Sequence, residues 1–442
     1  MTASSVPAPL GASCADVRDA GPADRVAGMQ PRYVAAPAST AEASGVLRAA
    51  AELGLAVLPR GAGTRIGWGT APASCDLVVE MTRMNRLLEH AAGDLVASVQ
   101  AGASLAEVGQ ALGRAGQRLA LDPPAPAEPS GTVGGLIASG AAGPLRLRYG
   151  SPRDLLIGIT VVRADGTVAR SGGKVVKNVA GYDLGKLFAG SYGTLGLITE
   201  AVFRLHPRPA AVAYVTADGA GPDAAARLIA AAVDSPLSPS AAEIDWPAAG
   251  APIRVGVLLE GDAAGTAERA ARLCGLLAGA HDGTAASSPT PPLWWGRAPD
   301  RPGTALRIAF WPARLPAVLR AVRAAAASAG LDPAVSGSAG AGVLTAEVPG
   351  HAEPAAVARF VAGLRESLAG AQAQPAGPAP TPAARPASSP ATASAVVLYA
   401  PAAVRELVDM WGPVPSLPLM RAVKDQFDPG HRMAPGRFTG GI

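Results

Sequence analysis

Cysteine is nearly absent: Cys14, Cys75 and Cys274 are the only three in 442 residues, and they lie far apart. No CxxC pair occurs, which argues against an iron–sulfur cluster or a structural zinc held by this chain. Three isolated thiols suit a reducing compartment, where they act as small apolar side chains. Charge is thin as well, at 16% of residues, and the +4 balance is not gathered into Lys/Arg blocks or interleaved with aromatics. Nucleic-acid binding is therefore not expected. No apolar run reaches about 18 residues, so no membrane span is expected. The opening MTASSVPAPLGASCADVRDA has neither a basic start nor an apolar core, so it does not read as a signal peptide. The five histidines, His90, His206, His281, His351 and His431, are not paired at metal-ligand spacing, and no metal site is expected.

What the chain has in quantity is glycine. Four glycine-rich segments follow one another: PRGAGTRIGWG (59–69), PSGTVGGLIASGAAGP (129–144), YGSPRDLLIG (149–158) and KNVAGYDLGKLFAGSYGTLGLITE (177–200). A long anionic cofactor needs several backbone turns to approach it closely. Glycine allows that approach without a Cβ clash and tolerates positive φ. Free N–H groups in such turns form concave anion sites. RGAGT (60–64) follows an apolar strand, as a phosphate loop does, but it lacks the GxGxxG of a Rossmann turn. SGGKV (171–175) lacks the glycine spacing and the Ser/Thr of a Walker loop. In the second segment, Ser130, Thr132 and Ser139 offer hydroxyls to ring or phosphate oxygens. Each segment also has a bland reading, a surface loop or a tightly packed helix start.

Residues 1–29 read as a flexible lead-in. YVAAP (33–37) reads as a strand, and Ser39 and Thr40 cap a helix running to about Leu53 with Glu42 in its first turn. LAVLP (55–59), DLVVEM (76–81) and DLVASVQAG (94–102) read as strands, and Ser104 caps a helix with Leu105, Val108 and Leu112 on one face. These assign 33–120 to one α+β unit. Proline density at 121–131 opens a second, in which 155–173 forms a hairpin turning at Asp165-Gly166. From about residue 210 strands and helices alternate, which suggests a ferredoxin-like α+β domain. The Ala/Pro/Ser/Thr-rich stretch 371–395 reads as a flexible surface insertion.

The run 30–208 resembles the FAD-binding domain of the PCMH-type, vanillyl-alcohol oxidase superfamily. Within it, GYDLGKLFAGSYGTLGLITE resembles the flavin-linked 2-hydroxy-acid dehydrogenases, and KDQFDPGHRMAPGRF (424–438) resembles that group's closing signature. The overall length, LWW at 293–295 and the lack of cysteine clusters resemble most the E-subunit family of glycolate oxidases. The resemblance implies an α+β fold. It comprises a two-subdomain PCMH-type FAD-binding domain over 30–208, a ferredoxin-like α+β cap over 209–410 and a tail, 411–442, returning to the flavin. It implies FAD held noncovalently, because Thr64-Arg65 stands where relatives can carry a flavin-linked histidine. Arg60, Gly61, Ala62, Gly63 and Thr64 would hold the pyrophosphate. Thr132, Gly134, Gly135, Ser139, Gly140 and Gly143 would line the pyrophosphate and the ring. Gly150 and Asp154 would fix the loop at the ring, and Gly193, Thr194 and Ile198 would lie by the ribose and adenine. Two departures stand out: Tyr192 where many relatives carry Glu, and Ala434-Pro435-Gly436 where the motif usually reads Asn-Pro-Gly.

Oxidation of a 2-hydroxy acid needs a base for the hydroxyl proton and a cation for the carboxylate. Catalytic relatives use paired histidines; here the catalytic residue is unknown, with His431 in the returning tail as the one candidate base. His206, in LHPRP, reads as structural. Arg297, Arg307 and Arg437 are candidate carboxylate binders, each with an ordinary surface or ion-pair role as the alternative. Trp294, Trp295 and Trp311 read as core or interface anchors. The resulting expectation is an FAD-binding subunit of a glycolate (2-hydroxy acid) oxidase complex. Its partners would be a second flavoprotein subunit and an iron–sulfur subunit, and it would be cytoplasmic or peripheral at the inner membrane through them. The alternatives are a free-standing FAD-dependent 2-hydroxy-acid or sugar-acid dehydrogenase, and a non-catalytic scaffold.

Overall fold

The computed structural model describes residues 6–124, 131–174, 182–281, 283–297, 303–370 and 393–442. Ser130, part of the 177–200 segment, and nearly all of the expected insertion at 371–395 lie outside the described residues. The chain divides into two compact units. The first comprises Met1–Ala142, Tyr149–Arg208 and Pro413–Ile442; the second comprises Gly143–Arg148 and Pro209–Gly412.

The first unit has two sheets. In one, β1 (Val17–Asp19), β2 (Tyr33–Ala35), β3 (Val57–Arg60) and β4 (Leu77–Glu80) lie in the order β1-β2-β4-β3. β2, β4 and β3 are parallel, and β1 is antiparallel to β2. The lead-in is thus built structure from residue 6 and not a loose segment: a short helix, α1 (Ala8–Ser13), buries Leu10, and β1 extends the sheet. Helix α2 (Thr40–Glu52) starts where Ser39 Oγ accepts the Glu42 amide at 3.1 Å, while Glu42 accepts the Ala38 amide at 2.9 Å. The two bonds satisfy donors that a helix start leaves open. The buried face of α2, Ala43, Val46, Leu47 and Ala50, packs with Val57, Leu77 and Val79.

The second sheet is antiparallel, with β5 (Leu87–Ala91), β6 (Val96–Gln100), β8 (Leu156–Val162), β9 (Val168–Gly172) and β10 (Leu197–Arg204) in the order β5-β6-β10-β8-β9. β6 therefore pairs with β10, a hundred residues away, and the expected 33–120 unit is divided between the sheets. The β8–β9 hairpin turns at Asp165-Gly166, with Gly166 at φ +83°. A two-residue strand, β7 (Gln117–Arg118), pairs with β11 (His206–Pro207). Helices α3 (Leu105–Gly113) and α4 (Val133–Ser139) close the core through Val108, Leu112 and Ile137 against Ile159, Ala201 and Phe203. Ser104 occupies the N-cap of α3 but gives no side-chain cap; the Leu105 amide donates to Gly131 O at 2.9 Å instead.

The closing segment returns to the first sheet. After the C-terminal helix Leu417–Phe427, the Val57 amide donates to Arg432 O at 2.8 Å and the Ala434 amide donates to Val57 O at 2.7 Å. The tail thereby covers the edge of β3, which otherwise offers unpaired backbone groups.

The second unit is an eight-stranded antiparallel sheet. Its strands are β12 (Ala211–Gly219), β13 (Ala241–Trp246), β14 (Ile253–Gly261), β15 (Ala285–Ser288), β16 (Thr304–Phe310), β17 (Ala334–Ser338), β18 (Val343–Val348) and β19 (Ala393–Tyr399). Their order is β15-β12-β14-β13-β17-β18-β16-β19. With α5 (Pro222–Val233), α6 (Ala263–His281), α7 (Leu315–Ala329) and α8 (Pro354–Gly370), the chain reads βαββαβ twice. Each repeat has the ferredoxin-like order 4-1-3-2, and the two meet at their second strands, β13 and β17. Helix α7 buries Leu315, Val318, Leu319, Val322, Ala325 and Ala326 at helical spacing, a single apolar stripe.

Candidate functional site

Three of the four glycine segments, the first, second and fourth, meet at one cleft of the first unit, with about 780 Å³ of empty space continuous with solvent. β3 delivers Arg60 and the loop that follows. α4 and its N-cap supply Thr132, Gly134, Gly135 and Ser139, the turn before β10 supplies Tyr192 and Gly193, and β10 itself supplies Ile198. Of the cofactor residues expected from the sequence, Arg60, Gly61, Ala62, Gly63, Thr64, Thr132, Gly134, Gly135, Ser139, Gly193 and Ile198 line this cleft.

The approach of the segments leaves no room for side chains. A Cβ on Gly61 would stand 2.1 Å from Thr132 Oγ1, and one on Gly134 would stand 2.8 Å from the Ala101 methyl. Thr132 is the N-cap of α4, its hydroxyl accepting the Gly135 amide at 3.3 Å. Gly63 takes φ +74° and Gly193 φ +80°, the left-handed region that glycine enters without cost. Among the described residues, the amides of Gly61, Ala62 and Gly63 donate to no protein acceptor. Three consecutive N–H groups on a turn with positive φ form an anion nest. A diphosphate therefore fits the donor set, and the glycine cradle admits it at backbone distance.

The remaining expected residues take other places. Gly140, at φ +62°, ends α4, with its Cβ position 3.3 Å from Gly190 Cα. Asp154 Oδ2 accepts the Ser151 amide and hydroxyl at 2.7 and 2.8 Å, and a Cβ on Gly150 would meet Asp154 at 2.6 Å; the pair shapes a local turn outside the cleft lining. Thr194 is buried, its hydroxyl donating to Ser191 O at 2.7 Å. Gly143 belongs to the second unit. His431 does not line the cleft; its side chain is 56% exposed and its Nε2 lies 3.0 Å from Asp425 Oδ1. Arg297 and Arg307 lie in the second unit, whereas Arg437 does line the cleft, where its Nη2 donates to Ile66 O at 2.6 Å and Trp68 O at 3.3 Å.

Two polar clusters support the cleft, and sequence reasoning missed both. In the first, Arg60 Nη2 donates to Asp24 Oδ1 at 2.8 Å and to Glu80 Oε2 at 2.6 Å, while Arg18 makes a two-pronged contact with Asp24 at 2.6 and 3.0 Å. The Arg18 guanidinium, with Arg60 and the Gly21 amide, holds the Asp24 carboxyl far below the usual range despite its burial. Burial opposes the charge on Arg60, and the bonds to Asp24 and Glu80 outweigh it. In the second, Lys424 is wholly buried. Its Nζ donates to Thr194 O and Asp428 Oδ2 at 2.7 Å and to Met433 O at 2.9 Å. Burial pushes the Lys424 ammonium below its ordinary value, with Asp428 opposing. The i, i+4 spacing of Lys424 and Asp428 on a helix was the one available signal. Ala434 sits at φ +46°, a region that Asn tolerates better than Ala, so the tail carries local strain there. Among the described residues no cluster of His, Cys, Asp and Glu could hold a metal, and no helix is long and apolar enough to cross a membrane.

Residues 31–172 match the family model of an FAD binding domain. Glycolate oxidase subunit GlcD of Bacillus subtilis is 38% identical over 219 residues, covering 49% of this chain and 46% of that one. Glycolate oxidase subunit GlcE of Escherichia coli is 45% identical over 118 residues, 27% of this chain and 33% of that one. A D-lactate dehydrogenase of Archaeoglobus fulgidus is 38% identical over 175 residues, 40% of this chain and 39% of that one. The matched region thus spans less than half the length of each of these relatives. A solved structure of alkyldihydroxyacetonephosphate synthase covers 93% of this chain and 78% of its own at TM-score 0.67, with 17% identity, which establishes a shared fold. Residues 31–172 are an FAD binding domain.

Proposed function

We propose that the chain is the FAD-binding subunit of a 2-hydroxy-acid oxidase or dehydrogenase, an FAD-dependent oxidoreductase of the glycolate oxidase kind. The observation that carries this reading is the cradle: three acceptor-free amides at Gly61–Gly63, set against the N-terminus of α4. The names of the relatives, two glycolate oxidase subunits and a D-lactate dehydrogenase, support a small 2-hydroxy acid as substrate. Bound FAD would supply a two-electron acceptor. The chain's own residues would hold it: the loop amides on the diphosphate, Thr132 at the start of α4 beside them, and Ser139, Tyr192, Gly193 and Ile198 along the walls. Arg437 is committed to the carbonyls of Ile66 and Trp68, so its part is to brace the cleft wall.

The assembly with a second flavoprotein subunit and an iron–sulfur subunit is part of the same proposal, supported by the likeness to two different subunits of glycolate oxidase. The test is an anaerobic absorption spectrum of the purified chain reconstituted with FAD, before and after glycolate or D-lactate, alone and with the co-expressed partners. Flavin bleaching that needs the partners supports the subunit reading. Bleaching by the chain alone establishes a free-standing dehydrogenase in its place, and failure to retain FAD refutes both.

A further inference from the structure

Asp24 comes from the segment before β2, which the sequence marks as unremarkable, yet it is only 4% exposed. An acidic residue so deeply placed is normally paired, and Asp24 is saturated: both Arg18 prongs, the Arg60 guanidinium at 2.8 Å and the Gly21 amide at 2.9 Å converge on its carboxylate. Arg60 is the last residue of β3 and immediately precedes the acceptor-free amides. Its Nη2 is held from two sides, by Asp24 and by Glu80 at the end of β4. Glu80 is itself fixed, its Oε1 accepting the Thr82 hydroxyl at 2.8 Å. The two arginines and two carboxylates balance in charge, so the cluster adds little net attraction for an anion. What it provides is geometry. Side-chain exposures of 6% for Asp24 and 14% for Arg60 set it apart from the solvent-screened surface pairs that contribute almost nothing.

We propose that Asp24 is a positioning residue for the cofactor loop: acting through the Arg60 guanidinium, it fixes the end of β3 and so the direction in which the Gly61–Gly63 amides are presented. The inference rests on the flavin reading of the cleft. It makes the N-terminal segment part of the binding site, although none of its residues lines the cleft.

The test is a double-mutant cycle on the full chain, with the FAD dissociation constant read by flavin fluorescence quenching of the apoprotein. Asp24→Asn is expected to weaken FAD binding about tenfold or more. Arg60→Met is expected to weaken it at least as much, and adding Asp24→Asn to Arg60→Met should change nothing further. Arg18→Gln, which removes the other arginine from Asp24 without touching Arg60, is expected to bind FAD within about twofold of the wild type. Circular dichroism and the melting temperature report whether each variant folds. Should Asp24→Asn fail to fold, Glu80→Gln tests the same clamp from its other side. Additive losses in the cycle, an unchanged constant in Asp24→Asn, or an equal loss in Arg18→Gln would overturn the proposal. A wild-type chain that binds no FAD would overturn the flavin reading itself.

Discussion

The buried lysine of the C-terminal helix gives the sharpest test of how the tail is held. Lys424→Met keeps an apolar stem of similar length and removes the ammonium. Three things are lost together: the ion pair with Asp428 and the donors to Thr194 O and Met433 O. Asp428 is left buried with the Met433 amide, at 2.7 Å, as a remaining donor. Breaking one side of a buried pair costs about 3–5 kcal/mol, because the surviving charge has no compensation. For a unit of this size the melting temperature should fall about 2–4 °C per kcal/mol, so a drop of roughly 6–20 °C is expected. Urea unfolding measures the free energy directly. The double variant Lys424→Met/Asp428→Leu should lose less than the sum of the two single losses but not return to wild type, since the Thr194 and Met433 carbonyls still lack their donor. There is a pH signature as well. With the folded ammonium pushed below its unfolded value of about 10.4, the unfolded chain holds the proton more tightly, and this group's contribution rises as pH rises towards that value. Lys424→Met abolishes that component. A loss below about 1 kcal/mol would refute the reasoning, showing that desolvation of the pair cancels its contacts.

Other consequences follow from single distances. Gly61→Ala forces a methyl to 2.1 Å from Thr132 Oγ1, so it should displace the cap of α4, at about 1 kcal/mol, and sharply lower the flavin content per chain; full retention of FAD would refute the cradle geometry. Gly109→Ala, in α3 with no atom within 4 Å of its Cβ position, is the control and should stabilise by up to about 1 kcal/mol without changing flavin content. Arg18 foremost, then Arg60, depresses the Asp24 carboxyl, so its stabilising contribution is complete above about pH 4, its unfolded value, and declines as pH falls below that. The stability difference between wild type and Asp24→Asn, measured by urea unfolding, should therefore hold constant from pH 8 to 5 and shrink by pH 3; a difference that stays flat contradicts the pairing. Burial, aided by the charge of Asp76, pushes the Cys75 thiol up to about 11. Cys75 should resist iodoacetamide at pH 8 until the chain is denatured, as peptide mass spectrometry would show, and rapid labelling of the folded chain would refute its burial.

The strands that were legible in the sequence are those with β-branched, apolar patterns: LVVE at β4 and VASVQ at β6 both form as expected. Those that were not legible have composition against them. β13 reads AAEIDW and β17 reads AVSGS, small or acidic residues depleted from strands. β13 tolerates Asp245, one of its two acids, because Asp245 stands opposite Arg254 on β14, which donates to it from both Nε and Nη2. These two strands join the ferredoxin-like halves, so missing them hid the duplication while leaving the α+β class visible. In the site, the glycines were legible because backbone proximity imposes a residue type. Asp24 and Glu80 were not, because Arg60 lies on a segment that only the fold brings to them; Lys424 and Asp428 lie one helical turn apart, but Thr194 O, which completes their cluster, is 230 residues away. Gly140, Gly150, Asp154 and Thr194 show the converse: a turn or a helix end also demands glycine or a small polar residue, and sequence alone does not separate shaping a loop from touching a ligand.

That ambiguity is resolved by linkage. The cleft exists only in the folded first unit, since it draws on β3, α4, the turn before β10 and Arg437 of the tail. A ligand binding only the folded form stabilises it by about 2.7 kcal/mol at a hundredfold excess over its dissociation constant, and by about 1.4 kcal/mol for each further tenfold. FAD should therefore raise the unfolding temperature of this unit by roughly 5–10 °C at that excess. If the Gly61–Gly63 amides hold the diphosphate, ADP should also raise it, whereas riboflavin, which has the ring but no phosphate, should raise it far less at equal concentration. Equal shifts from FAD and riboflavin, with none from ADP, would move the binding energy to the ring and leave the glycine loop as shape without function.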